Sequence, residues 1–192
     1  YFSADDEGEN ATLKYATNTS GSLVTTVVDS DADSCYFSSI AVDKSDKVHI
    51  TYYNENYGGD LRYITNKSGS WVRKIIDNGR SVDQYGIAGM DNSITLDSSG
   101  KVHISYYAIY YKNELEDGTS YGKDFSAIKY VTNAKGSWVE KTIDKLRTVR
   151  TLDSGDKIVY TSIVLDTSDK VHISYYDKDK GTLKHATNAT RK

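Results

Sequence analysis

The chain has no proline, a single methionine and a single cysteine in 192 residues. One cysteine, Cys35, excludes an internal disulfide, and its polar neighbours give no Cys/His pattern for a metal or a nucleophile. No apolar run is long enough for a membrane-spanning helix, so membrane insertion is not expected. A net charge of −3 without any basic cluster argues against a phosphate-binding surface, and hence against nucleic acid as partner. Tyr1 follows no initiator methionine and no signal-peptide pattern, so the chain reads as a mature product or an excised fragment. A sustained 3.6-residue period is also missing, which removes helical architectures.

What the chain has in quantity is tyrosine, 17 residues of it, against 3 phenylalanines and 2 tryptophans. With abundant serine and threonine, this is the composition of a sheet protein with polar faces. The tyrosines fall within repeats. Val48-His49-Ile50-Thr51-Tyr52-Tyr53 returns at Val102–Tyr107 and at Val171–Tyr176, and Tyr1-Phe2 matches the tail of another copy. Leu13–Asn18 returns at Leu61–Asn66, Ile128–Asn133 and Leu183–Asn188. Leu23–Asp29 returns at Trp71–Asp77 and Trp138–Asp144, each after a Gly-Ser, and Ser39–Asp43 returns at Ser93–Asp97 and Ser162–Asp166. Each segment is short, β-branched and aromatic, and bounded by turn residues.

Labelling the segments A (Ser39 type), B (Val48 type), C (Leu61 type) and D (Trp71 type), the chain reads B-C-D, A-B-C-D, A-B-C-D, A-B-C. About fourteen strands in blades of four antiparallel strands predict an all-β β-propeller of four repeats, either four-bladed or part of a larger propeller. The units run approximately over 1–29, 36–77, 91–144 and 160–188 of a single domain. A β-sandwich is the competing architecture, but a sandwich does not require repeated sequence.

The hairpins Asp43–Val48, Asp97–Val102 and Asp166–Val171 resemble the A–B hairpin of extracellular β-propeller repeats, NHL-like or of the BNR/sialidase type. The sialidase Asp-box, Ser-x-Asp-x-Gly-x-x-Trp, is not intact here, so the resemblance implies architecture and an extracellular or cell-surface setting rather than catalysis.

Comparing the copies with one another separates scaffold from site. The A–B and C–D turns keep their length and lie at one end of the sheets; the B–C and D–A connections vary and lie at the other. Variable loops on a rigid scaffold are the expected place for binding. Candidate ligand-binding residues there are Tyr36, Tyr57, Tyr85, Tyr110, Tyr111 and Tyr121, with Arg147 and Arg150 in a D–A loop. Phe125, Glu114, Glu116, Asp117 and Asp124 accompany the rings in the long insertion between Ala108 and Ala127. Rings beside carboxylates suit sugars, because the ring stacks on an apolar sugar face and the acid accepts hydroxyl protons.

Asp29, Asp31 and Asp33 form an alternating acidic loop, a weak calcium pattern that lacks the glycine and distal glutamate of an EF-hand; calcium is the one cofactor the sequence admits. His49, His103 and His172 share one strand position in different blades and read as a repeated structural hydrogen bond, not a metal cluster. Asn10, Asn18, Asn66 and Asn188 head glycosylation sequons, three of them on the C–D turn. These features predict a non-enzymatic binding or adhesion module for a carbohydrate or protein ligand. The alternatives are a structural subunit of a surface layer, fibre or larger protein, self-associating through open blade edges, and a sialidase-like glycoside hydrolase, which needs clustered arginine, a nucleophile and an acid.

Overall fold

The computed structural model describes residues 1–3, 11–30, 35–55, 59–80, 84–112, 125–146 and 159–189, with only the backbone of Gln84, Tyr85, Tyr111 and Lys112. These residues form fourteen strands: β1 (Phe2–Ser3), β2 (Thr12–Thr17), β3 (Val24–Asp29), β4 (Cys35–Val42), β5 (Val48–Asn54), β6 (Asp60–Thr65) and β7 (Val72–Asp77), then β8 (Gln84–Leu96), β9 (Val102–Lys112), β10 (Phe125–Thr132), β11 (Val139–Leu146), β12 (Thr161–Leu165), β13 (Val171–Asp177) and β14 (Thr182–Thr187). No helix occurs among the described residues. The strands pair in chain order into four antiparallel sheets, β1-β2-β3, β4-β5-β6-β7, β8-β9-β10-β11 and β12-β13-β14. The B-C-D, A-B-C-D, A-B-C-D, A-B-C order of the sequence is therefore the order of the sheets.

Local chemistry explains the hairpins. In the A–B turns the position before Lys47, Lys101 and Lys170 requires a positive φ, and it is held by Asp46 (57°), Gly100 (71°) and Asp169 (58°), residue types that tolerate the left-handed region. In the C–D turns Gly21, Gly69 and Gly136 sit at 95°, 95° and 92°. The C–D asparagine serves as a clamp: Asn66, Asn133 and Asn188 each accept the backbone N–H of Val48, Val102 and Val171 through Oδ1 at 2.8 Å.

The sheets pack face to face in series, β8 against β4 and β5, and β12 against β8 and β9. The interfaces share their B- and C-strand positions, and the second and third add an A-strand isoleucine. Leu13, Val28, Val48, Ile50 and Ile64 fill the first, Leu61, Ile94, Val102, Ile104 and Val131 the second, and Ile128, Ile163, Val171 and Ile173 the third. Burying each such side chain contributes about 2 kcal/mol. Trp71 packs on Tyr15 of the preceding sheet with centroids 5.7 Å apart, and Trp138 packs on Tyr63 at 5.5 Å.

The row of sheets does not close into a ring among the described residues. Ile94 and Ile163 are 7% and 3% exposed between sheets, whereas Ile40, at the matching position of β4, is 54% exposed. Strand extension also replaces part of what reads as loop in the sequence. β9 runs on to Lys112, β10 starts at Phe125 and β8 starts at Gln84, so the insertion lengthens a hairpin before it leaves the sheet.

Candidate functional site

Three sets of polar side chains recur along the row of sheets, and their differences locate the site. At the A–B turn end, Asp43 Oδ1 accepts the N–H groups of Ser45 and Lys47 at 2.8 and 3.0 Å. Its Oδ2 lies 3.5 Å from His49 Nε2, and His49 Nδ1 is 2.5 Å from the Tyr63 hydroxyl. Asp97, His103 and Tyr130 repeat the relay, with His103 3.4 Å from Asp97 and 2.7 Å from Tyr130. In the last sheet His172 lies 3.6 Å from Asp166 and 3.1 Å from His185. The backbone N–H bonds hold the Asp43 and Asp166 carboxyls below the usual range, and burial lowers the pKa of His49. Each of these histidines is thus held within its own sheet, between the A–B turn and the C strand. A cavity of about 420 Å³ lies between the hairpins at Val42–Ser45 and Leu96–Gly100. Its carboxylates, Asp43 and Asp97, are bound to their own turns, and Lys44 donates to the Ser98 carbonyl at 3.0 Å.

Between sheets runs a second set. The aspartate closing each D strand accepts a hydrogen bond from the first of the paired B-strand tyrosines of the next sheet: Tyr52 to Asp29, Tyr106 to Asp77 at 2.8 Å, and Tyr175 to Asp144 at 2.9 Å. A cation completes each clamp, Arg73 at 3.0 Å from Asp29, Lys129 at 3.5 Å from Asp77 and Lys184 at 2.7 Å from Asp144. Burial, reinforced by the facing carboxylate, raises the pKa of these phenols, to about 12 for Tyr175, so they remain donors at neutral pH.

The third set, at the end where the A strands begin, is different. Pairing of β4 with β5 and of β8 with β9 slips between Tyr36 and Ser39 and between Met90 and Ser93. Each slip is a β-bulge, with Phe37 and Asp91 at positive φ of 52° and 46°. The bulges are stitched together. The Asn92 amide donates to the carbonyls of Phe37 and Gly89 and accepts from Thr51 at 2.6 Å. Thr161 Oγ1 donates to the Asp91 carbonyl at 2.9 Å. Ser39 and Ser93 accept the N–H groups of Ile94 and Ile163 at 3.2 and 3.3 Å. Phe37, Asp91 and Tyr160, each two residues before the shared serine, therefore lie in neighbouring positions of three successive sheets.

Asp91 is the chemically unusual member. It is 8% exposed, and its Oδ2 has no hydrogen-bond partner among the described residues. Burial alone pushes its carboxyl up to about 7. Aromatic surface flanks it: Tyr160 is 66% exposed, and Tyr36, 47% exposed, stacks on Tyr53 with centroids 6.5 Å apart and meets Phe37 at a tilt with centroids 6.4 Å apart. The unmet oxygen itself is closed off from solvent, so what this end presents outward is its rings, with the unsatisfied carboxyl just beneath them.

The residues singled out in the sequence distribute unevenly around this end. Tyr36 belongs to it. Tyr85 and Tyr111 face each other across β8 and β9 by register, and only their backbone is described. Tyr110 is no open ring: it is buried, stacked on Phe125 at 4.9 Å and covered by Lys129 at 4.7 Å, because the extended hairpin folds the aromatics inward. Tyr57, Tyr121, Arg147, Arg150, Asp31, Asp33 and Asn10 lie outside the described residues. Both oxygens of Asp29 serve Tyr52 and Arg73, and the other carboxylates of the calcium pattern are among the residues not described. Asn66 and Asn188 use their side-chain oxygens in the turn clamp, and Asn18 is exposed at the matching turn. Cys35 is buried, which raises its thiol pKa to about 11 and leaves it unreactive.

No protein-family model matches the chain, and no curated protein does. Among solved structures, a fucose lectin from Kordia zhangzhouensis in complex with methyl-fucoside aligns over 81% of this chain and 94% of its own, at 22% identity and a TM-score of 0.44. A polysaccharide lyase, the PL25 ulvanlyase, aligns over 99% of this chain at 11% identity and a TM-score of 0.53; its form bound to -[GlcA(1-4)Rha3S]- gives 0.52. The likeness to the lyase is one of fold, and this chain spans about half of its length, 55%.

Proposed function

We propose that the four sheets are consecutive blades of a β-propeller, and that the end formed by the bulges binds carbohydrate. The propeller reading is supported by the series β4, β8, β12, in which each A strand packs and hydrogen-bonds against the next. It agrees with the NHL-like or BNR-like character of the A–B hairpins. The binding reading rests on one observation: the unpartnered carboxylate of Asp91, held in a bulge between Phe37 and Tyr160. A buried acid that raises its own pKa costs stability, and such a group is a candidate for function. Asp91 Oδ2 is shielded in the unbound chain, so binding includes a local opening of the bulge, after which a sugar hydroxyl donates to Asp91 while the neighbouring rings cover apolar C–H faces. An anionic ligand would meet like charge, so neutral saccharides are favoured over uronates.

The chain binds without cleaving in this reading. Its setting is extracellular or on a cell surface, where such glycans occur. Binding to a panel of neutral and uronate oligosaccharides, measured by titration calorimetry at pH 6 and pH 8, tests the proposal. Affinity for a neutral sugar should rise with pH, since the hydroxyl donor favours ionised Asp91, and Asp91→Asn should remove that dependence. Absence of binding to every saccharide, or binding indifferent to Asp91→Asn, would overturn it.

A further inference from the structure

The A–B turns at Asp43–Lys47, Asp97–Lys101 and Asp166–Lys170 follow one another along the row of sheets, and the two clefts between them are filled differently. Between the second and third turns, Ser98 donates twice to the Asp169 carboxylate, from its backbone N–H at 2.9 Å and from its hydroxyl. These two bonds hold the Asp169 carboxyl below the usual range. Between the first and second turns the same two positions carry Lys44 and Gly100. A Cβ on Gly100 would meet nothing within 4 Å beyond its chain neighbours, and here lies the open cavity of about 420 Å³. Lys67 stands in its wall, at the position that Ala134 holds one sheet later. Position for position, the open cleft has lost one carboxylate and gained two ammonium groups. Its other polar positions, Asp43, Ser45, Asp97 and Ser99, keep their residue types from one cleft to the next, except that Ser98 is matched by Thr167.

Donors remain here for an anion. The Lys44 N–H, which corresponds to the Ser98 N–H, has no acceptor among the described residues, and neither has the Lys67 ammonium. The Lys44 ammonium engages one of its three donors on the Ser98 carbonyl at 3.0 Å and attracts Asp169 without forming an ion pair. Asp43 and Asp97 do not bar a negative charge, because Asp169 is held beside the matching aspartates, Asp97 and Asp166. The volume lies in the range of small-molecule sites. We infer that the cleft between the first two A–B turns binds a small carboxylate-bearing ligand, whose carboxylate takes the place that Asp169 fills in the next cleft and is received by Lys44 and Lys67. The site is at the opposite end of the sheets from Asp91 and does not depend on the glycan reading.

The test is two-dimensional NMR of the isotope-labelled full chain at neutral pH, titrated separately with sodium succinate, sodium glucuronate and glucose. Saturable shifts at the Lys44 and Ser98 amides are expected with the acids and none with glucose. The acid that saturates at lower concentration tells whether a plain organic acid or a sugar acid supplies the carboxylate. Gly100→Asp should abolish binding without lowering the unfolding temperature, since Asp46 and Asp169 already hold that left-handed position in the other turns. Lys67→Ala should weaken binding by about threefold, the size of one exposed charge pair. Asp91→Asn should leave it unchanged, which separates this site from the one at the bulge end. No saturation by either acid at roughly millimolar concentration, equal shifts with glucose, or undiminished binding in Gly100→Asp would each overturn the proposal.

Discussion

The two ends of these sheets are built from the same strands and treat carboxylates in opposite ways. At the turn end Asp43, Asp97 and Asp166 each hold two backbone N–H groups and face a histidine. At the bulge end Asp91 sits in a left-handed conformation, buried, with one oxygen unanswered. The first arrangement repeats because it stabilises a hairpin, and any unit that lost it would fray. The second differs from sheet to sheet, with phenylalanine, aspartate and tyrosine at one position. Repetition marks scaffold, and divergence at a fixed backbone position marks the place where a ligand can be specified.

The sharpest way to break this contrast is to attack the clamps between the ends. Asp77→Ala removes one of the two carboxylates shared by Tyr106 and the buried Lys129, Glu140 remaining to both, and should cost about 2–3 kcal/mol in denaturant unfolding, because two desolvated donors each lose a charged acceptor.

The next effect has the opposite sign. Burial pushes the Asp91 carboxyl up to about 7 in the folded chain, against about 4 for a free aspartate. Between those values the folded state holds a proton that the unfolded state has released, so stability falls as pH rises from about 4 to 7 and then levels off. Asp91→Asn should therefore be more stable than the parent by on the order of 2 kcal/mol at pH 8, the two curves converging below about pH 4. Thermal unfolding across that range reads the difference; parallel curves would mean that Asp91 is ionised without penalty.

Smaller still is Asn133→Ala, which takes away the acceptor of the Val102 N–H and should cost about 1 kcal/mol at any pH, leaving saccharide binding untouched. Least costly is Tyr36→Ala. Its half-exposed ring should change stability by no more than about 0.5 kcal/mol, yet weaken saccharide binding measurably in calorimetry. Loss of binding in Asn133→Ala rather than in Tyr36→Ala would reverse the roles given to the two ends.

Strand number and order were legible in the sequence because each repeat carries its own punctuation, Asp before an A–B turn and Asn-x-x-Gly-Ser before a D strand. A repeated structural hydrogen bond at His49, His103 and His172 was legible for the same reason, although its Asp and Tyr partners were not. The inter-sheet clamps were missed, although a signal existed: an aspartate closes each D segment and a tyrosine pair closes each B segment. The bulges were harder to see. A bulge is a change of register, and register depends on pairing with a partner strand rather than on local composition. Aligning the copies on Ser39, Ser93 and Ser162 would have placed Phe37, Asp91 and Tyr160 together. Tyr110 looked exposed because the insertion read as a loop, whereas lengthening β9 and β10 buries that ring against Phe125.

The central claim is that ligand meets the chain at the bulge end. Two-dimensional NMR of the isotope-labelled chain, titrated with the neutral saccharide that binds best in calorimetry, tests it most directly. The account predicts shifts at the amides of Tyr36, Phe37, Asp91, Asn92 and Tyr160, with Asp43–Lys47 and Asp97–Lys101 unmoved. Shifts confined to those A–B turns would contradict it.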